Sequence, residues 1–361
     1  MTTNSPQLPL RRGEVIPALH EAKAQAFLTT ALPNVRYLTN FTGSNGALLL
    51  TEDRALLFTD PRYATQAPQE SDCEVKVAKG PLLKEVAKWI KRLQLKSLAF
   101  EQNRISFEDY GQLKEHAKNL RLKPVNGLVE TLRAVKSEAE IAAIRNSVQL
   151  NSTALEQSLQ RFKPSMTEID LAAEIDYRMR RLGAEGPAFE TIVASGKRSA
   201  LPHARPTEAR IQTDELLLID MGAIVAGYAS DMTRAHAVGK LDTKRQRMYH
   251  AVLESQLAVL EAIKPGVTCA NVDRVARDVL RGFGLDKLFV HSTGHGLGLE
   301  IHERPRVGRK DKTKLVTGMV ITVEPGVYEE GFGGVRIEDT VVVTASGCEV
   351  LTPTKKELLT L

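Results

Sequence analysis

The stretch "LLLIDMGAIVAGYASDMTR", residues 216–234, holds an apolar run that ends in Asp220 and then reaches a second acid, Asp231, in what reads as the returning strand. A carboxylate that closes a buried strand needs a partner, because an unpaired charge in an apolar interior is costly. Folded as a hairpin centred between Val225 and Ala226, the segment sets Asp220 directly opposite Asp231. Opposed side chains of an antiparallel pair have Cβ atoms about 5 Å apart, and like charges there repel. Arg234 is the segment's cation, yet strand alternation points it to the other face from Asp231. A divalent cation between the acids resolves the conflict; two aspartates held in separate turns is the competing reading.

The same oddity recurs downstream. In "GMVITVEPGVYEEGFGGVRIEDTVVVT", residues 318–344, Glu324 ends the apolar run "VITV", and Glu338 sits inside the strand-like "VRIEDTVVV". Arg336, two residues before Glu338, falls on the same strand face. Between the two acid-bearing regions, "HSTGHGLGLEIHERP" gathers His291, His295 and His302 among glycines spaced G-x-G-x-G. That spacing departs from the G-x-G-x-x-G dinucleotide loop, whereas glycines that permit close backbone approach suit a site built from histidines. Asp220, Asp231, Glu324 and Glu338 carry four negative charges, which two divalent ions balance. An oxygen-rich set with one imidazole suits manganese, cobalt or iron(II), with zinc also admissible. Two such ions about 3.5–4 Å apart activate water at neutral pH and polarise a carbonyl, which is hydrolytic chemistry.

Around this core the chain divides. "ALLLTEDRALLFTD" reads as strand, polar turn and strand, and "GPLLKEVAKWIKRLQ" has apolar residues at helical spacing before the short run "SLAF". Residues 1–135 therefore form a small α/β domain. "NFTGSNG" lacks a following GK[ST] and reads as a turn before a strand. A second domain, 136–361, starts at "RAVKSEAEIAAIR", where Ser137 and Glu140 form a capping box. Ile141, Ile144, Val148, Leu155 and Leu159 then mark one face of a long helix that stops before Pro164. Within this domain "KPSMTEIDLAAEIDYRMRRLG" from Lys163 and "KPGVTCANVDRVARDVLRGFG" from Lys264 match at Lys-Pro, threonine and closing glycine, which points to two similar halves. Ordinary helix punctuation produces the same match, so unrelated helices remain the alternative.

Composition narrows the class further. The chain has 361 residues, 42% hydrophobic and 26% charged, which suits a globular protein with two cores. No apolar run approaches the roughly 20 residues of a bilayer span, and "MTTNSPQLPLRRGEVIP" lacks a signal-peptide layout, so a cytoplasmic protein with no membrane association is expected. The net charge of +5 is dispersed and aromatics make up 5%, which argues against nucleic acid. Cys73, Cys269 and Cys348 stand far apart and read as free thiols.

With Asp220, Asp231, His295, Glu324 and Glu338 in this order, the sequence resembles the M24 metallopeptidases, the pita-bread family of methionine aminopeptidase, aminopeptidase P and prolidase. The segments "IDMGA", "GYASDMTR", "STGHGLGLEIHERP", "TVEPGVY" and "GVRIEDT" carry the resemblance, which covers essentially the whole chain. It implies a creatinase-like α/β domain over 1–135 and a pita-bread α+β catalytic domain with pseudo-twofold halves over 136–361. It further implies that Asp220 binds one metal, that His295 and Glu324 bind the other, and that Asp231 and Glu338 bridge them. His203 in "SALPHARP" and His302 are implied as catalytic histidines, Arg336 as a residue that orients a metal-binding carboxylate or meets a substrate carboxylate, and Glu324 as a candidate proton acceptor from the attacking water. His291 has no implied role and reads as structural. "ASGKRSALPH" lacks an Asn that the family often has after Ser-Gly, which touches substrate positioning. The implied activity is that of an Xaa-Pro aminopeptidase of the aminopeptidase P type, acting on peptides with proline second. An Xaa-Pro dipeptidase, with Arg306 meeting the dipeptide carboxylate, is the runner-up, and a catalytically silent binding protein is third. Relatives commonly form homodimers or higher oligomers.

Overall fold

A computed structural model describes residues 7–361; Met1–Pro6, the start of the segment that lacks a signal-peptide layout, lies outside them. The chain separates into two units, Met1–Arg133 and Ala134–Leu361. In the first, Ala26–Thr29 (β1), Gly46–Thr51 (β2), Ala55–Thr59 (β3), Glu74–Val77 (β4), Ser97–Glu101 (β5) and Arg121–Val125 (β6) form a mixed sheet in the order β4-β3-β2-β1-β5-β6. The "ALLLTEDRALLFTD" segment is the β2–β3 hairpin, with Leu48 opposite Leu57. Leu83, Val86 and Ile90 line one stripe of the helix Leu82–Arg92 and pack with Leu28, Leu49 and Phe58 of the sheet.

In the second unit, Ser137 and Glu140 close the expected capping box at the start of the helix Glu138–Leu159. The two matched segments have matching structure. Thr167 caps the helix Glu168–Leu182 and Thr268 caps Cys269–Gly282, and the closing glycines Gly183 and Gly284 both take positive φ. Each capping threonine also forms an isolated antiparallel bridge, Thr167 with Arg210 and Thr268 with Lys314. One half packs its helices on the sheet of Ile192–Ser195, Glu215–Met221 and Met232–Val238. The other packs Thr243–Ala262 and Cys269–Gly282 around strands that include Val320–Val323 and Asp339–Val343.

The hairpin that carries the two aspartates differs from the expected register. Val225 pairs with Tyr228 and Asp220 with Thr233, so the loop is Ala226–Gly227, one residue later than expected. Both loop residues have positive φ, 51° and 78°, the requirement of the tight turn that matches strand twist. Glycine takes that conformation at no steric cost, so Gly227 pins the turn. The shift replaces Asp231 by Thr233 opposite Asp220, but it moves every pair by two residues. Side chains alternate with a period of two, so both acids stay on one face as diagonal neighbours.

A second difference lies in "VRIEDTVVV", which is two strands rather than one. Gly333–Arg336 pairs with Gly326–Glu329, whereas Asp339–Val343 pairs with Val320–Val323. Between them the backbone changes partners: Ile337 N–H donates to the Pro325 carbonyl and Glu338 N–H to the Thr233 carbonyl. Glu338 is thereby tied to the aspartate hairpin.

Candidate metal centre

One cavity of about 610 Å³ brings together all eight site residues expected from the sequence: Asp220, Asp231, His295, Glu324, Glu338, His203, His302 and Arg336. His291, expected to be structural only, lines it as well. Asp220 ends the strand Glu215–Met221, and Asp231 immediately precedes the strand Met232–Val238. His295 sits in Gly294–Gly296, where the glycines are a steric necessity. A Cβ at position 294 would stand 2.0 Å from the Thr322 carbonyl oxygen, and one at 296 would stand 2.1 Å from that of Arg304.

Among the described residues, Asp231, His295 and Glu338 form a donor set whose ligand atoms all lie within 4.8 Å of one another. His295 Nδ1 lies 3.0 Å from the Gly296 carbonyl, and this turns Nε2 toward the acids. Nε2 is 3.5 Å from Glu324 Oε1 and 3.6 Å from Asp231 Oδ2. His302 stacks edge-on to His295 with ring centroids 4.4 Å apart.

Burial and mutual repulsion set the charge state of this cluster. Burial pushes the Glu324 carboxyl up to about 7, and the nearby Asp220 adds to the rise. Asp231 is raised well above the ordinary carboxylate range by burial and then by Glu338, Asp220 and Glu324. Glu338 is raised by burial, Glu324 and Asp220. Among the described residues, buried Asp220 Oδ1 and Glu338 Oε1 have no hydrogen-bond partner. Orphaned, mutually repelling carboxylate oxygens beside an imidazole are the donor set that a divalent cation satisfies.

The metallopeptidase family M24 model matches residues 142–345, and the creatinase/prolidase N-terminal domain model matches 11–135. The chain belongs to metallopeptidase family M24. It is 40% identical to the Xaa-Pro dipeptidase from Bacillus anthracis, at a TM-score of 0.95 over 98% of this chain and 100% of that one. The prolidase from Pyrococcus horikoshii is 36% identical with a TM-score of 0.93, over 97% of this chain and 99% of that one. An X-Pro aminopeptidase from Thermotoga maritima is 36% identical with a TM-score of 0.90, over 97% and 100%. As an M24 metallopeptidase the chain binds divalent metal, and its donor set fits that role.

Several residues that support this M24 site escaped the sequence reading. Thr233 Oγ1 donates to Glu338 Oε2 at 2.6 Å and accepts from Arg336 Nε at 3.0 Å. Arg336 Nη2 donates to Asp220 Oδ2 at 2.5 Å and Nη1 to Tyr328 Oη at 2.6 Å. Tyr328 Oη in turn lies 2.8 Å from His291 Nε2, and His291 Nδ1 is 4.0 Å from Glu324. Burial, with Arg336 nearby, pushes His291 down to about 4, so it is neutral at pH 7. Arg336 is thus the hub that holds Asp220 directly and Glu338 through Thr233. Adjacency to Asp231 and Glu324 in "SDMTR" and "EPGVY" was the available signal for Thr233 and Tyr328.

A second support lies outside the cavity. Glu168, fully buried, accepts from Ser195 N, Thr207 N, Thr207 Oγ1 and Arg198 Nε at 2.8–3.2 Å. It ties both ends of the loop that carries His203. Arg336 Nη1 also donates to the Pro202 carbonyl at 3.2 Å, next to that histidine.

Proposed function

We propose that this chain is a divalent-metal-dependent Xaa-Pro dipeptidase, which hydrolyses the bond between a first residue and a C-terminal proline. The observation that carries the reading is the convergence of buried Asp220, Asp231 and Glu338 with half-buried His295 and Glu324 in one open cavity with His203 and His302. The dipeptidase and prolidase relatives move the weight from the aminopeptidase expected from the sequence to its runner-up. The aminopeptidase stays as a second reading, supported by the Thermotoga maritima structure. The family matches support creatinase-like residues 1–135 and a catalytic domain over 136–361.

Asp220 would hold one cation, His295 and Glu324 the other, and Asp231 and Glu338 both; manganese is our choice of metal. Bound divalent ions supply Lewis acidity that activates water and polarises the scissile carbonyl. The chain's own residues do the rest. Glu324, which lines the cavity beside His295, would accept a proton from the attacking water and return it to the leaving proline nitrogen. That transfer matters because the prolyl nitrogen leaves as an amine without ever having carried an amide hydrogen. His203 and His302 line the wall where the carbonyl oxygen gains charge and would donate to it. Burial lowers the pKa of His302, which favours the neutral imidazole with one N–H to give. Arg306, at the cavity wall, would meet the proline carboxylate.

The test is a peptide panel with protein stripped by chelator and reloaded with manganese, cobalt or zinc. Preference for an Xaa-Pro dipeptide over an Xaa-Pro-Yaa tripeptide is expected. The reverse preference selects the aminopeptidase, and no cleavage with any metal defeats both readings.

A further inference from the structure

Arg234, the cation that strand alternation turns away from Asp231, goes to a buried seam behind the acid cluster. Its side chain is 1% exposed, and all five of its N–H donors are used. Nη1 donates to the carbonyls of Thr233 and Glu338 at 2.9 and 2.5 Å. Nη2 donates to Asp339 Oδ1 at 2.7 Å and to the Thr354 carbonyl at 2.6 Å, and Nε to the Lys355 carbonyl at 3.0 Å. The other Asp339 oxygen accepts from Lys356 Nζ at 2.7 Å and from Gln256 Nε2 at 2.8 Å. Beside this pair, Thr340 Oγ1 donates to the Asp231 carbonyl at 2.8 Å, and Thr340 N–H donates to Thr352 Oγ1 at 3.0 Å. Residues 352–356 therefore line the seam between the strands Met232–Val238 and Asp339–Val343. Farther along, Ala237 N–H donates to the Leu359 carbonyl at 2.9 Å and Leu361 N–H to the Ala237 carbonyl at 2.8 Å, which fastens the segment to the first of these strands.

Asp231 immediately precedes one of the two strands and Glu338 immediately precedes the other. These are the acids read above as meeting both cations, so the separation of the strands sets the separation of their carboxylates. We propose that the segment 352–361, acting through the Arg234–Asp339 pair, fixes that separation and is a working part of the metal centre, with Arg234 and Lys356 as positioning residues. The inference rests on the reading that cations lie between these acids. A buried ion pair adds little net stability over an apolar filling, so what this one contributes is geometry. A planar guanidinium can hold the Thr233 and Glu338 carbonyls, the Asp339 carboxylate and the 354–355 backbone at once, whereas a lysine offers one point of charge.

Manganese is the probe, titrated calorimetrically into the chelator-treated full chain at a temperature where circular dichroism shows each protein folded. Loss of a side chain that orients metal ligands from behind costs about 10–100-fold in affinity. Arg234→Lys should fall within that range, and Lys356→Met, at a partly exposed side chain, near its lower end at about tenfold. Urea melts of the cation-free proteins read stability separately. A merely structural pair would change the melts and leave the affinity of the folded protein at the parent value. Parent affinity in folded Lys356→Met overturns the proposal whether or not Arg234→Lys folds. A parent chain that binds neither manganese, cobalt nor zinc defeats the metal centre and this inference with it, whereas binding by the parent with unchanged variants defeats the inference alone.

Discussion

Cation binding to the carboxylate cluster should release protons, and the amount follows from the geometry. Burial and the neighbouring Asp220 raise Glu324 to about 7 in the cation-free protein. By simple titration Glu324 then carries about 0.9 of a proton at pH 6 and about 0.1 at pH 8. A divalent ion binds the carboxylate and not the acid, so it must displace that proton. The sign is therefore fixed: affinity is highest above the raised pKa and is lost as pH falls through it. Glu324 alone predicts that affinity drops about tenfold between pH 8 and pH 6. Asp231 and Glu338 are raised in the same direction and add to the release. Manganese titrations of chelator-treated protein in buffers of differing ionisation enthalpy count the protons directly. At least about one proton per chain is expected at pH 6. Glu338→Gln should weaken binding and reduce the count. A pH-independent affinity with no proton release at pH 6 would refute the claim that repulsion among buried acids poises this site.

Three other outcomes are expected. His203→Ala should lower kcat by about 10²–10⁴, with metal content by atomic absorption unchanged; loss of metal instead would place His203 among the ligands. Glu168→Gln sets an amide where Ser195 N, Thr207 N and Arg198 all donate to a fully buried carboxylate. It should destabilise the protein by about 3–5 kcal/mol in denaturant melts. Turnover at a temperature where the variant stays folded should also fall; undiminished kcat there would show that the clamp does not position His203. His236 is buried with both ring nitrogens unpartnered among the described residues, and burial pushes it down to about 4. Its folded pKa lies below the ordinary 6.5, so the unfolded chain binds the proton first. Stability is full above pH 6.5 and falls by about 3 kcal/mol as pH drops to 4. His236→Leu should abolish that component of the acid loss, and an unaltered pH profile would contradict it.

The acid-ended apolar runs at Asp220 and Glu324, the clustered histidines around His295 and the capping box at Ser137 were legible in the sequence because each is a local pattern. A carboxylate closing a buried strand signals a partner wherever that partner lies, so the residues that converge on the cavity could be collected before any fold was known. The resemblance built on those segments also extended over both units. Register was less accessible. The hairpin loop falls at Ala226–Gly227 because glycine tolerates positive φ, and the one-residue error in its placement exchanged Asp231 for Thr233 opposite Asp220. The acids still share a face, since the error preserved the parity of the strand. What only tertiary structure decided is how the set is held. Thr233 and Arg336 lie 103 positions apart and meet at 3.0 Å. Glu168 reaches 39 positions along the chain to hold Thr207 and so fixes the loop of His203. Such long-range hydrogen bonds leave no periodicity in the chain, because the side chain that donates and the one that accepts are brought together by packing alone.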